Sequence, residues 1–397
     1  MNVTEKLKEL SKFNATGSDE FGVTRRAFTA ETASASAWLI SEMESLDMTT
    51  HIDPAGNVIG IWGAGSGQAI ALGSHFDSVP NGGLYDGTLG VVSALAAIDY
   101  LRNKNIKPKR PVMLLAFNSE EWAECPMLGS LSFCGDFDMN YYRDRGIPEI
   151  MQSAGFDYDK LPDSNRICDV GAFVELHIEQ GPILEDAGAD IGVISGVTGS
   201  RLYMVSYIGE ANHAGTTPFK LRRDALLGAA EAVIAVRKLG EEYDARTTVG
   251  TLNVSPNALN IIPGKVEFGV DIRALDADAL HALVEKIPAE LEAIAQRHGL
   301  QVELEQLQHH EPLVFDEKIR ELVREAALDL GLKTCDLPSG AGHDARNLAR
   351  HNIPCGLIFV PSQNGISHSY KEYTTPEQCD AGVAVLQRVL ERLVCDD

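Results

Sequence analysis

Four short, largely apolar runs punctuate the chain, and each ends in or leads into polar residues. Ala69 to Leu72 passes into Gly73-Ser-His-Phe-Asp77, and Pro111 to Phe117 passes into Asn118-Ser119-Glu120-Glu121. Ala172 to Ile178 carries His177 near its end, and Ile353 to Val360 opens into the polar loop Pro361 to Tyr373. Runs of this length and composition predict buried strands. Between them the spacing turns helical. Ala35, Leu39, Met43 and Leu46 mark one face of a helix over Ala30 to Leu46. Further helices are predicted from Gly90 to about Asn103, from Glu317 to Leu330, and from about Pro376 to Leu393. Residues 1–50 read as helical around a loop at Asn14 to Gly22. Val58 to Trp62 is a strand before the turn 63–67, and 136–170 reads as polar and irregular. Strands alternating with helices predict an α/β domain with a mostly parallel sheet and helices on both faces.

The pattern changes near Ile191. Arg201 to Ile208, Thr247 to Val254, Lys265 to Ile272 and Gln301 to Leu307 read as strands. Helices at Arg223 to Lys238 and Asp276 to Arg297 separate them. That order is β-α-β-β-α-β, the ferredoxin-like α+β arrangement. The predicted division is therefore 1–195, an inserted 196–311, and a return to the first domain at 312–397.

Charge narrows the field of partners. The chain has 57 acidic and 34 basic residues and a net charge of −23, which disfavours nucleic acid as a partner. No stretch is apolar for long enough to suggest a membrane helix, and the first residues lack a signal-peptide core. Seven cysteines, an odd number without a CxxC pair, read as reduced thiols of a cytoplasmic protein.

Five candidate metal ligands fall at strand ends or in the adjoining loops: His75, Asp86, Glu121, His177 and His368. Imidazoles and carboxylates are borderline donors that suit Zn²⁺, with Mn²⁺, Co²⁺ or Ni²⁺ also accommodated. One catalytic zinc needs three protein ligands, so five suit two ions sharing a carboxylate, which together activate water and polarise a carbonyl. Asp77, two residues after His75, is placed to orient that imidazole from behind. Glu120, adjacent to a ligand, is placed to take a proton from water.

Several blocks extend this reading: Gly73-Ser-His-Phe-Asp-Ser-Val-Pro-Asn-Gly-Gly83, Tyr85-Asp-Gly87, Glu120-Glu121, Glu175-Leu-His-Ile-Glu-Gln-Gly181 and Ala211-Asn-His-Ala-Gly-Thr-Thr-Pro218. Together they resemble the M20-type metallohydrolases, in the branch of N-carbamoyl-L-amino-acid hydrolases, allantoate amidohydrolases and β-ureidopropionases. The resemblance runs from about Gly22 to the C-terminal helix. It implies a dinuclear site on the α/β domain and an inserted lid that dimerises. His75 and His177 would hold one ion, Glu121 and His368 the other, and Asp86 would bridge them. Glu120 would be the general base, and His213 the lid histidine that steadies an oxyanion. Asn260 and Arg273, with Arg201 beside them, would bind the substrate carboxylate, for which a planar guanidinium is well suited.

One stretch departs from the family pattern. Where the family usually continues its Glu-Glu with Gly-x-Arg-Phe, this chain has Trp122-Ala123-Glu124-Cys125. The expectation is that Trp122 shapes the substrate pocket. The expected protein is a homodimeric two-metal amidohydrolase. It would cleave the ureido C–N bond of an N-carbamoyl-L-amino acid or related ureido acid into amino acid, ammonia and carbon dioxide. Allantoate hydrolysis, or a dipeptidase or deacylase activity, is the alternative.

Overall fold

The structure is a computed structural model describing residues 1–17 and 21–395, so residues 18–20 of the expected N-terminal loop lie outside the described residues. The chain divides into two units, Met1–Ser195 with Phe315–Asp397, and Gly196–Val314. The strands of the first stretch are β1 (Thr49–Ile52), β2 (Val58–Trp62), β3 (Ala69–His75), β4 (Val112–Phe117), β5 (Val170–Ile178) and β6 (Ile191–Val197). The middle stretch holds β7 (Gly199–Ile208), β8 (Asn212–His213), β9 (Arg246–Ser255), β10 (Ile261–Ile262), β11 (Lys265–Ala274), β12 (Gln301–His310) and β13 (Leu313–Val314). After the return come β14 (Thr334–Ser339) and β15 (Cys355–Val360).

The first unit is a mixed α/β structure whose strands run β1-β2-β4-β3-β5-β15-β6, with β14 also on β6. At its centre β4, β3, β5 and β15 are mutually parallel. The β1–β2, β2–β4 and β15–β6 pairings are antiparallel. The expected mostly parallel sheet is thus parallel at its centre and antiparallel at its flanks. Connection length explains this. A parallel return needs a long crossover, which the helix Thr88–Asn103 provides between β3 and β4, whereas the few residues between β1 and β2 allow only an antiparallel turn.

Both faces of the sheet are covered. On one, Leu72, Leu114, Val174 and Ile358 share a core with the helices Thr88–Asn103 and Pro376–Cys395. The first of these helices buries Val91, Leu95, Ile98 and most of its other residues, so apolar residues run through it instead of striping one side. On the other face Phe117 packs against Phe133 of the short helix Leu128–Cys134 and against Phe173 of β5. Alternation along β5 puts Glu175 and His177 on this second face with Phe173.

Among the features that escaped the hydrophobic pattern are the strands β1, β6 and β14 and the order within 136–170. That segment contains the helices Met139–Arg143 and Ile147–Ser153 and two 3₁₀ turns, and its Ile147, Met151, Tyr158 and Leu161 form a satellite core with Phe28 and Trp122. The second unit is a four-stranded sheet in the order β12-β7-β11-β9, every neighbour antiparallel. The helices Ala225–Glu242 and Ala277–Arg297 pack with Val266, Phe268, Val270 and Ile272 of β11 in one core.

Candidate functional site

All four parallel strands aim their carboxyl ends the same way, which is where open α/β sheets gather ligands. β3 ends on His75, β4 leads into Glu120 and Glu121, β5 carries His177 next to its last residue, and β15 opens into the loop of His368. Asp86 stands just before the helix Thr88–Asn103. Asp86 lies at the centre of the group. Its Oδ1 is 3.1 Å from His177 Nε2 and 3.5 Å from His75 Nε2, while its Oδ2 is 3.4 Å from His368 Nε2. His368 Nε2 is in turn 3.1 Å from Glu121 Oε1. The two oxygens of one carboxylate therefore face two different ligand pairs.

Close approach here depends on glycine. A Cβ on Gly87, whose φ is +65°, would lie 2.3 Å from the His75 ring, so only glycine lets Asp86 and His75 meet. At Gly73, with φ +151°, a Cβ would fall 1.8 Å from the Leu115 carbonyl oxygen.

The imidazoles are set for ligation. His177 Nδ1 lies 2.8 Å from the Ile178 carbonyl, and His75 Nδ1 lies 3.2 Å from the Asp77 carbonyl. Each Nδ1–H is thus committed to a backbone oxygen, which leaves each Nε2 on the Asp86 side, where that of His177 also accepts the Gly87 N–H at 3.2 Å; metal-binding histidines are fixed in this way. Asp86 Oδ1 is buried and has no hydrogen-bond donor. A buried carboxylate oxygen without a donor, flanked by two imidazole nitrogens, fits a bound cation. His75, Asp86 and His177 can converge on one ion, and Asp86, Glu121 and His368 on another.

Asp77 does more than orient His75. Its Oδ1 accepts the Glu120 N–H and its Oδ2 the Glu121 N–H, both at 3.0 Å. One buried carboxylate thereby fixes the main chain of both glutamates, just after Ser119 turns at φ +65°. Burial raises Asp77 to about 6 even though His75 pulls it down. Burial also raises Glu120 well above the usual carboxylate range; His75 opposes this, and Glu121, Asp344 and Asp77 add to it. His368 is pushed up to about 10 by its bonds to Asp86 and Glu121. So many acids in a closed space require positive charge at their centre, whether as protons or as cations.

Several contributors were not anticipated from the sequence. Gln180 Nε2 donates to Asp86 Oδ2 at 2.9 Å. Glu372, 3% exposed, accepts the N–H groups of Tyr85 and Asp86 at 3.1 Å each. Ser367 Oγ lies 2.9 Å from Glu372 Oε2 and 3.1 Å from Asp86 Oδ2. Behind His177, Glu175 accepts from Ser74 Oγ at 2.6 Å and from the Ala345 N–H at 2.9 Å, and the His343 ring meets His177 at 4.7 Å. The one available signal was position: except for His343, each of these polar residues sits in a strand or loop that already held a ligand.

Trp122 requires a correction. Its ring is 5% exposed and packs edge-on against Phe28 at 5.8 Å, in the satellite core with Cys125, Leu128 and Ile147. Replacing a small residue with an indole here fills an apolar core, so Trp122 does not present its ring to a substrate.

Within the second unit, His213 and Asn260 are brought together and Arg273 is not. β8 pairs with β10, and Ala214 N–H donates to the Asn260 carbonyl at 3.0 Å. His213 is exposed, and its Nδ1 accepts from the Gly215 and Thr216 N–H groups at 3.0 and 3.2 Å. A neutral ring held this way carries its proton on Nε2. Arg273 lies towards the far end of β11, bonded through Nε and Nη2 to Asp271 Oδ2 at 3.1 and 2.9 Å. Lys265 at the start of that strand is eight residues, about 26 Å, away. Arg201 is 3% exposed, and its guanidinium is engaged by the carbonyls of Ser200 and His310 and by the Glu311 carboxylate. It anchors the end of the four-stranded sheet.

Comparison with known proteins shows what the chain is similar to. The profile of peptidase family M20/M25/M40 matches residues 71–392. An N-carbamoyl-L-amino acid amidohydrolase of Geobacillus stearothermophilus is 37% identical, over 94% of this chain and 93% of its own. An allantoate amidohydrolase of Bacillus subtilis (strain 168) is 35% identical, over 99% of this chain and 97% of its own. The crystal structure of an amidase of the hydantoinase/carbamoylase family from Burkholderia multivorans superposes with a TM-score of 0.91 at 34% identity, covering 99% of this chain and 97% of its own.

Proposed function

The chain belongs to peptidase family M20/M25/M40, and from that premise we propose that it hydrolyses the ureido C–N bond of a small ureido acid, with an N-carbamoyl-L-amino acid as the first candidate. Amino acid, ammonia and carbon dioxide would be the products. The observation that carries the reading is Asp86, whose two oxygens face separate ligand pairs beside the partly buried Glu120. His75 and His177 would hold one divalent ion and Glu121 and His368 the other, with Asp86 shared; zinc suits these donors, and manganese, cobalt or nickel would also fit. When bound, such ions supply Lewis acidity that lowers the pKa of water and polarises the ureido carbonyl.

The chain's own residues do the rest. Glu120, its proton affinity raised by burial, accepts a proton from the attacking water and returns it to the leaving nitrogen. Asp77 keeps Glu120 and Glu121 in register through their N–H groups. His213, with Nδ1 satisfied by backbone, offers Nε2–H to the developing oxyanion. Arg273 grips the substrate carboxylate in competition with Asp271 and shares that task with Asn260.

The four-stranded sheet of the inserted unit leaves β12 and β9 as its edges, and a homodimer formed through this lid, 196–311, would cover one of them. Among the described residues no helix is long and apolar enough to cross a membrane, and we place the enzyme in the cytoplasm. A panel of N-carbamoyl-L-amino acids, allantoate and N-acyl amino acids, assayed for ammonia and for carboxylate release, tests the reading. Ammonia from the first class supports it, ammonia from allantoate alone moves the substrate to the second relative's, and carboxylate release from acyl substrates alone overturns it.

A further inference from the structure

We propose that Glu372 is a positioning residue that couples the two halves of the site, and that without it the ion held by Glu121 and His368 is lost first. The inference rests on reading the five-ligand cluster as a metal centre. Glu372 comes from the loop that carries His368, four residues further on, and reaches the loop of Asp86. One oxygen accepts both the Tyr85 and Asp86 N–H groups. The other lies against Ser367 Oγ, which also touches Asp86 Oδ2. A single side chain thus ties the main chain of the shared carboxylate to the residue preceding His368.

The fold makes room for this contact. A Cβ on Gly83 would stand 1.9 Å from the Glu372 carboxylate, so glycine at 83 is what lets the acid reach the Asp86 loop. Glu372 is 3% exposed, too buried for a solvated loop acid.

The two ligand pairs differ in their dependence on it. His75 and His177 lie within β3 and β5, and their Nδ1 atoms are fixed by backbone carbonyls. His368 lies outside any strand, its side chain is 51% exposed, and its φ is +54°, a conformation that a residue other than glycine keeps only when its surroundings impose it. The tie through Ser367 and Glu372 imposes it from the adjacent position. Loss of the tie therefore disturbs the loop pair more than the strand pair.

The test is calorimetric titration of Mn²⁺ into chelator-stripped protein, with bound metal counted by elemental analysis and folding followed by thermal unfolding. The parent is expected to bind two equivalents. Glu372→Ala should keep one at the parental affinity and bind the second about 10- to 100-fold more weakly, the usual scale for losing a residue that orients ligands. Glu372→Gln should recover most of the second affinity, because the amide oxygen still accepts the two N–H groups. Ser367→Ala leaves the Asp86 main chain held and should weaken only the second equivalent, by a smaller factor. Both equivalents bound as in the parent by Glu372→Ala, or by Ser367→Ala should the first variant not fold, overturns the inference and leaves the proposed function standing. Equal weakening of both equivalents also overturns it. A parent that binds no Mn²⁺ overturns the metal reading and the inference with it.

Discussion

The carboxyl ends of the central strands and the open side of the inserted unit both gather polar residues, but they hold them differently. In the first unit His75, Asp77, Asp86 and His177 are at most 7% exposed, and their backbone neighbours fix them. In the second unit His213 and Asn260 are exposed, and Arg273 is half-buried against Asp271. A buried polar residue must have its partners inside the fold, because an unpaired one costs stability. An exposed one can be satisfied by water until a ligand arrives. The first region is therefore built in advance, whereas the groups of the second are held loosely enough to meet a ligand, as the proposed function asks of them.

The predictions sharpen that contrast, and the largest effect should come from the built site. Prolonged chelation should abolish ureido hydrolysis, and added Mn²⁺, Zn²⁺ or Co²⁺ should restore it; full turnover by a preparation shown by elemental analysis to be metal-free would falsify the metal reading. Next, Glu120→Gln should lower kcat by about 10²-fold or more with metal content unchanged, the scale of general-base catalysis. His177→Ala should lose metal instead, and a Glu120→Gln protein that also lost metal would reassign Glu120 as a ligand.

The second region should give smaller effects, separable from metal binding. His213→Ala should cost about 10²-fold in kcat, as removing an oxyanion donor does, with metal content intact. Arg273→Lys keeps the charge but loses the fork, so KM for the acid should rise about tenfold while substrate amides lacking the carboxylate are little affected. Equal losses for acid and amide would make Arg273 structural.

Trp122 should show the least effect on activity. As part of the satellite core, Trp122→Ala should cost about 3–5 kcal/mol of stability by leaving a cavity, measured by denaturant unfolding. At a temperature where the variant remains folded, the ranking of substrates should not change. A changed ranking would return Trp122 to the pocket.

Much of the first unit was legible because its central strands are largely apolar and end in or beside acids and histidines. That pattern is local, so it survives in one dimension, and it sufficed to single out His75, Asp86, Glu121, His177 and His368, which the fold brings together, and the α/β class. The helices within 139–153 were not legible. At five and seven residues they are too short for periodicity to register, and packing around Phe28 and Trp122 sustains them. β14 is largely exposed, and β6 is interrupted by glycines, so neither shows as an apolar run.

What the sequence by itself determined is which residue types the chemistry can use and which strand end delivers each. The family and much of the order of elements were legible with them. Only the tertiary structure decided how those residues are held: that Asp77 clamps two main-chain N–H groups, that Asp86 divides its oxygens, that Glu372 reaches back 286 residues to hold the Asp86 N–H, and that Trp122 packs into a core. The physical reason is that hydrogen-bond partners and burial are properties of neighbours in space. No spacing along the chain encodes a contact between two loops that meet only when the parallel strands have assembled.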